Sequence, residues 1–184
     1  MRKLFSLVAV GLLSLAGYAV VAGEADSGLK IGDAPDAFNV LDCSGPSEGI
    51  SLCYRCKYGA RPTVAIFTRE INDEVVSLVQ QIDEQVGENA DKKMAAFVVL
   101  LTDDPDANQP KLKKLAADKG IKNVPLTVFD GVAGPPEYKL AEGAAVTVLM
   151  WNKSNVKVNK GFEEATLSDD DVAAVSKETS KILN

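Results

Sequence analysis

Three cysteines are the residues of this 184-residue chain best equipped for chemistry, and no histidine accompanies them. Cys53-Tyr54-Arg55-Cys56 is a CxxC, a spacing that serves reversible disulfides and also forms half of a zinc site. Arg55, Lys57 and Arg61 flank it, and nearby cations stabilise a thiolate by Coulomb attraction. Tyr54 and Tyr58 could shape a shallow docking surface beside it. Cys43 stands upstream, across a loop rich in Gly, Pro and Ser. Three uses of the sulfurs stay open. Cys53 and Cys56 could form a redox-active pair. Cys43 could instead pair with Cys53 or Cys56 as a structural staple of the loop. Cys43, Cys53 and Cys56, with Asp42, could surround zinc, but structural zinc sites favour four Cys or His ligands, often as two CxxC knuckles. One CxxC without a histidine falls short, so neither a metal nor another cofactor is expected.

The missing imidazole excludes a Ser-His-Asp triad, a Cys-His pair and any histidine metal ligand. Other residue groups point to structure before chemistry. Asp103, Asp104 and Asp106 lack the spacing, glycine and late glutamate of an EF-hand, and read as a solvated loop. Asp169, Asp170 and Asp171 match the positive end of a helix. Met150 and Trp151 read as core or rim. Asn152-Lys153-Ser154 fits the N-glycosylation pattern. Arg69 and Glu70 read as an exposed ion pair that could also bind a ligand.

The elements that must carry these residues follow from composition and periodicity. Hydrophobic residues make up 46% and charged residues 25%, the mix of an ordinary globular domain, and the length suits one domain. The first stretch stands apart. Arg2 and Lys3 precede an uncharged apolar run over residues 4–21, and small residues follow. That is the pattern of a secretory signal peptide, with cleavage expected after Ala22. Its removal takes away two positive charges, moving the net charge from −6 to −8. An acidic chain argues against nucleic-acid or anionic-membrane partners, because phosphate binding needs a basic face. Export to the periplasm or beyond favours paired thiols.

Residues 23–36 are small, polar and acidic, and read as a linker, leaving residues 37–184 as the domain. Residues 38–41 alternate as a short strand, and residues 50–58 read as a short strand or a helical turn. Residues 62–68 (PTVAIFT), 94–101 (MAAFVVLL), 124–129 and 144–151 (AAVTVLMW) are apolar runs of the kind found in strands buried on both faces. Asn72 caps a helix whose Val75, Val76, Leu78, Val79, Ile82 and Val86 form one stripe, ending near Gly87. The strand–helix–strand order predicts a parallel pair with a right-handed crossover. Residues 103–110 read as a polar turn before a short helix at 111–119. A hairpin turn at 152–155 leads to an edge strand at 156–159. A last helix starts at Ser168, with Asp171 completing a capping box.

This order resembles the thioredoxin-like superfamily in its redoxin branch: peroxiredoxins of the alkyl hydroperoxide reductase and thiol-specific antioxidant family, and exported TlpA-like thiol–disulfide proteins. Ile31-Gly32-Asp33-Ala34-Pro35-Asp36-Ala37-Phe38 is similar to the family's lead-in to its first strand. Leu52 through Gly59 to Pro62 and Phe67 resembles the run into the central strand, and Thr127-Val128-Phe129-Asp130-Gly131 with Tyr138 resembles its aspartate-ended strand and turn. The resemblance implies an α/β, thioredoxin-like fold: a central mixed sheet flanked by helices, with an N-terminal extension and a helix–strand insert. It also implies thiol–disulfide exchange with a protein thiol or disulfide partner, Cys53 attacking and Cys56 or Cys43 resolving. The family places its reactive cysteine just beyond the central strand and faces it with a cis-proline. This chain has Thr68-Arg69-Glu70-Ile71-Asn72 and Gly143-Ala144-Ala145-Val146 in those places. Peroxidase chemistry at that position is therefore not expected. A non-catalytic binding or scaffold module is the alternative to an oxidoreductase.

Overall fold

A computed structural model describes residues 23–184; residues 1–22, read above as a signal peptide, lie outside the described residues. In chain order the elements are β1 (Val40–Asp42), β2 (Ser51–Leu52), α1 (Tyr54–Tyr58), β3 (Thr63–Thr68), α2 (Asp73–Glu88), β4 (Ala95–Thr102) and α3 (Pro105–Lys119). There follow β5 (Leu126–Asp130), a 3-10 turn (Pro136–Tyr138), β6 (Val146–Asn152), β7 (Asn155–Phe162), α4 (Asp169–Glu178) and a final 3-10 turn (Thr179–Lys181). The strands make one mixed sheet in the order β2-β1-β5-β4-β3-β6-β7. β3, β4 and β5 are parallel, while β1, β6 and β7 run antiparallel to their neighbours. All six residues of β3 are buried, as its unbroken apolar sequence requires of a strand covered on both faces.

The two faces carry different cores. One is mainly aliphatic and lies under α2, α3 and α4, with Val75, Leu78, Ile82, Leu112, Val172 and Val175 packed on Val64, Ile66, Val98 and Val148. The other is aromatic: Phe67, Phe97, Tyr54, Tyr138 and Trp151 meet there with Phe38. Among the described residues, no long helix covers this second face. α1, the turn at Tyr138 and the N-terminal segment do so, with Tyr54 stacked 5.7 Å from Phe97 and Phe38 edge-on to Tyr138 at 4.8 Å.

Several elements depart from the sequence reading. Residues 103–110 are not simply a turn: Asp104 caps α3 by accepting from the Ala107 N–H, and Pro105 opens it at a position where its missing N–H costs nothing. Residues 50–58 are both a strand and a helical turn. The segment read as a linker lies against the sheet. The Ala25 N–H donates to Gly161 O, the Gly32 N–H to Val156 O, and Ser27 and Leu29 are buried. It covers β7, which the sequence presents as an edge. The capping box forms as expected, Ser168 and Asp171 each accepting the other's N–H. Asp103 accepts a bond from the Val132 N–H. Met150 and Trp151 are fully buried in the core. The Asn152 amide donates to Ile182 O at 2.6 Å.

Candidate functional site

β3 places the CxxC and the family's usual site at opposite ends. Six residues at about 3.3 Å each span ~20 Å. α1 ends at Tyr58, before the strand begins, and the Lys153 N–H of the β6–β7 turn donates to Ala60 O there.

α1 is one short helix held down by its neighbours. β2 delivers Cys53 to the N-cap position, pairing Leu52 with Val40. Tyr54, the next residue, is 1% exposed, and its hydroxyl donates to Asp42 Oδ2 at 2.7 Å. Burial and that carboxylate both push the Tyr54 phenol far above its ordinary value, so it remains a donor. The fully buried Asp42 also accepts the N–H groups of Ser44, Gly45 and Ser47, at 3.2, 2.6 and 2.8 Å. Arg55 donates through Nε to Pro35 O at 2.8 Å and through its fork to Ser154 Oγ at 3.0 Å. Tyr58 donates to Ala96 O. Lys57 lies 5.3 Å from the Tyr54 ring, and the Arg61 guanidinium 5.2 Å from the Tyr58 ring.

Cys53 and Cys56 are joined by a disulfide, with Cα atoms 5.2 Å apart. Cys53 is half-buried and Cys56 is exposed. Cys53 Sγ also accepts the Cys56 N–H at 3.0 Å. Shallow depressions of about 390 Å³ and 300 Å³ adjoin the same end of the sheet, and both are lined by Tyr58 and Asn123. Tyr54 is not on a docking surface: it belongs to the aromatic core.

Cys43 is not brought to this pair. It is a free, fully buried thiol in the aliphatic core, on the far face of the sheet from Tyr54. The β1–β2 register sets Cys53 opposite residue 39, so Cys43 lies four residues further along the strand, about 13 Å away. Disulfides need Cα atoms within about 7 Å. A staple from Cys43 to Cys53 or Cys56 is therefore excluded in this arrangement, and so is Cys43 as a nearby resolving thiol. The metal set of Cys43, Cys53, Cys56 and Asp42 fails for the same reason, and the Asp42 carboxylate is already occupied by four donors. Burial and the Asp42 charge push the Cys43 thiol up to about 12, against a backbone hydrogen bond from Val128.

The family's usual position is filled by Arg69. Its Nε donates to Val132 O at 3.0 Å, Nη1 donates to Ala144 O, and its backbone N–H donates to Ala145 O at 3.1 Å. It does not pair with Glu70 as an exposed ion pair; it is half-buried and clasps two loops. Burial lowers its pKa, while Glu142 opposes the shift. Among the described residues no peptide bond is cis.

Asp42 and Arg69 are the site-shaping residues whose roles the sequence did not disclose. The signal for Asp42 was an Asp-x-Ser-Gly turn directly after a strand. For Arg69 there was none, because its acceptors are backbone carbonyls of distant loops.

The fold is thioredoxin-like, with a mixed sheet, flanking helices and an inserted helix–strand pair (α3 and β5). Among solved structures, the chain is similar to a candidate thiol:disulfide interchange protein DsbE from Chlorobium tepidum, with a TM-score of 0.63, 14% identity, and 85% of this chain and 99% of that one covered. It is also similar to the thioredoxin domain of a thiol-disulfide oxidoreductase from Bacteroides vulgatus, with a TM-score of 0.57, 13% identity, and 81% and 97% covered. A third is the bacterioferritin comigratory protein of Xanthomonas campestris, with a TM-score of 0.58, 8% identity, and 80% and 92% covered. No family profile and no curated protein sequence matches the chain.

Proposed function

We propose that this chain is an exported thiol–disulfide exchange protein whose working pair is Cys53 and Cys56, displaced to the N-terminal end of the central strand. The disulfide at the start of α1, with Cys56 exposed and Cys53 half-buried, carries this reading. A structural staple is a poor alternative on energetic grounds. Closing a loop of four residues contributes only ~2 kcal/mol in the chain-entropy treatment, less than a long loop would. α1 is already anchored without it, through Tyr54, Asp42 and Arg55. Thiol-disulfide proteins among the structural neighbours support the same class of substrate. Export rests on the signal-like segment at 1–22 and on the DsbE-like neighbour. No helix among the described residues is long and apolar enough to cross a membrane.

Equilibration of the purified protein in glutathione buffers of graded ratio, with the Cys53–Cys56 state read by alkylation and mass, tests the proposal. A reduction potential above about −250 mV is expected. A disulfide that stays closed to below about −300 mV would mark a purely structural bond and leave the scaffold reading.

A further inference from the structure

Building on that exchange reading, we propose that the CxxC works with its order reversed: Cys56 is the sulfur that bonds to the partner, and Cys53 is the one that leaves and returns. Thiol–disulfide exchange is an in-line displacement, so the incoming thiolate must approach along the S–S axis from behind the sulfur it attacks. Access therefore decides which sulfur reacts. Cys56 is exposed and lies between the exposed Lys57 and the half-buried Arg55. Cys53 is half-buried, set between Leu52, which is paired in β2, and Tyr54, which is locked to Asp42. Of the two residues, Cys56 is the more open to an incoming thiolate.

For attack on the oxidised pair, leaving-group chemistry points the same way. When the S–S bond breaks, the electron pair goes to the departing sulfur. Cys53 Sγ already accepts the Cys56 N–H at 3.0 Å, and a hydrogen bond to the charged form favours it. Among the described residues, no donor hydrogen-bonds to the Cys56 sulfur.

The steps balance with a thiol as the only co-reactant. A substrate thiolate attacks Cys56 Sγ, the Cys53–Cys56 bond breaks, and Cys53 leaves as a thiolate that takes a proton from solvent. A second substrate thiolate attacks the substrate sulfur of the mixed disulfide, and Cys56 is released as a thiolate and protonated in turn. Two thiols become one disulfide, and the protein pair gains the two electrons and two protons. In the reverse direction Cys56 attacks a substrate disulfide and Cys53 resolves the mixed disulfide.

The experiment exposes the oxidised wild-type protein to reduced glutathione, quenches with acid, and maps the adduct by peptide mass. C53S and C56S are each treated with oxidised glutathione in parallel. The adduct is expected on Cys56, and at a pH where both thiols are ionised, so that access alone differs, C53S should form its mixed disulfide at least tenfold faster than C56S. An adduct chiefly on Cys53, or equal rates in the two variants, overturns the reversed order while leaving exchange itself intact. No adduct on either sulfur in any of the three proteins overturns both.

Discussion

The two ends of β3 share one strand and differ in almost everything else. At the N-terminal end, α1 carries a disulfide whose Cys56 is exposed, cations stand around it, and the helix is tied to the core through Tyr54 and Asp42. At the C-terminal end, where open α/β sheets usually bind their ligands, Arg69 bridges the loops at Val132 and Ala144. Its Nη2 is buried without a partner. The sheet is held by backbone hydrogen bonds and apolar packing, neither of which depends on where the sulfurs lie. The same scaffold can therefore carry reactive groups at either end of its central strand.

The comparison is most sharply tested by loosening the end that carries the disulfide. D42A leaves the N–H groups of Ser44, Gly45 and Ser47 and the Tyr54 hydroxyl without their acceptor. Unpaired buried donors cost about 1–3 kcal/mol each, less where water can enter. Urea unfolding should show a loss of ~3–4 kcal/mol. An unchanged midpoint would mean that Asp42 does not anchor α1.

A smaller effect is expected at the vacated end. R69M keeps the apolar stem of the side chain and removes the bonds to Val132 and Ala144. It should cost about 1–2 kcal/mol by the same measurement, and leave the rate of reaction of the Cys53–Cys56 disulfide with glutathione within twofold of wild type. A larger change in that rate would show that the two ends are coupled through β3, and the comparison drawn above would fail.

What the sequence disclosed follows the same division. The runs at 62–68, 94–101 and 144–151 mark β3, β4 and β6 to within two residues, because strands buried on both faces need continuous apolar runs. The stripe on α2 was legible because one helix face meets the core. Asp83, in the middle of that stripe, gave no sign of its partners: it accepts the N–H groups of Lys122, Asn123 and Val124, nearly forty or more residues away, and none of these bonds leaves a periodic trace. The segment at 23–36, which reads as a linker in sequence, packs on the sheet for a related reason. It docks largely by backbone hydrogen bonds, which composition cannot register, and it buries Ser27 alongside Leu29. At the candidate site the CxxC was visible from spacing alone, and its place before the central strand followed from strand order. That Cys43 lies across the sheet was not visible. It depends on the alternation of faces along β1, which puts Leu41 and Cys43 on the aliphatic side and Val40 and Asp42 toward Tyr54.

The third sulfur offers the smallest and most specific test. If reactivity is confined to the exposed pair, Cys43 should behave as a buried apolar group that resists ionisation. Its thiol is pushed from 9.0 to about 12, by burial first and by Asp42 next. In the unfolded chain the group returns to its ordinary value. Between about pH 9 and pH 12 the unfolded chain gives up this proton while the folded protein keeps it. The folded state then binds more protons, so stability falls as pH rises through that window and is fully present below it. By pH 10 the contribution lost is about 1 kcal/mol. Tyr54, Tyr58 and Tyr138 are raised by burial as well, and they add to the loss at higher pH because tyrosine ionises near 10 in an unfolded chain. C43A removes only the earlier component. Urea unfolding of wild type and C43A at pH 8 and pH 10 should show wild type losing ~1 kcal/mol more than the variant over that interval. Equal losses in the two proteins would mean that Cys43 ionises as freely folded as unfolded, and a thiol that does so is accessible enough to compete with Cys56.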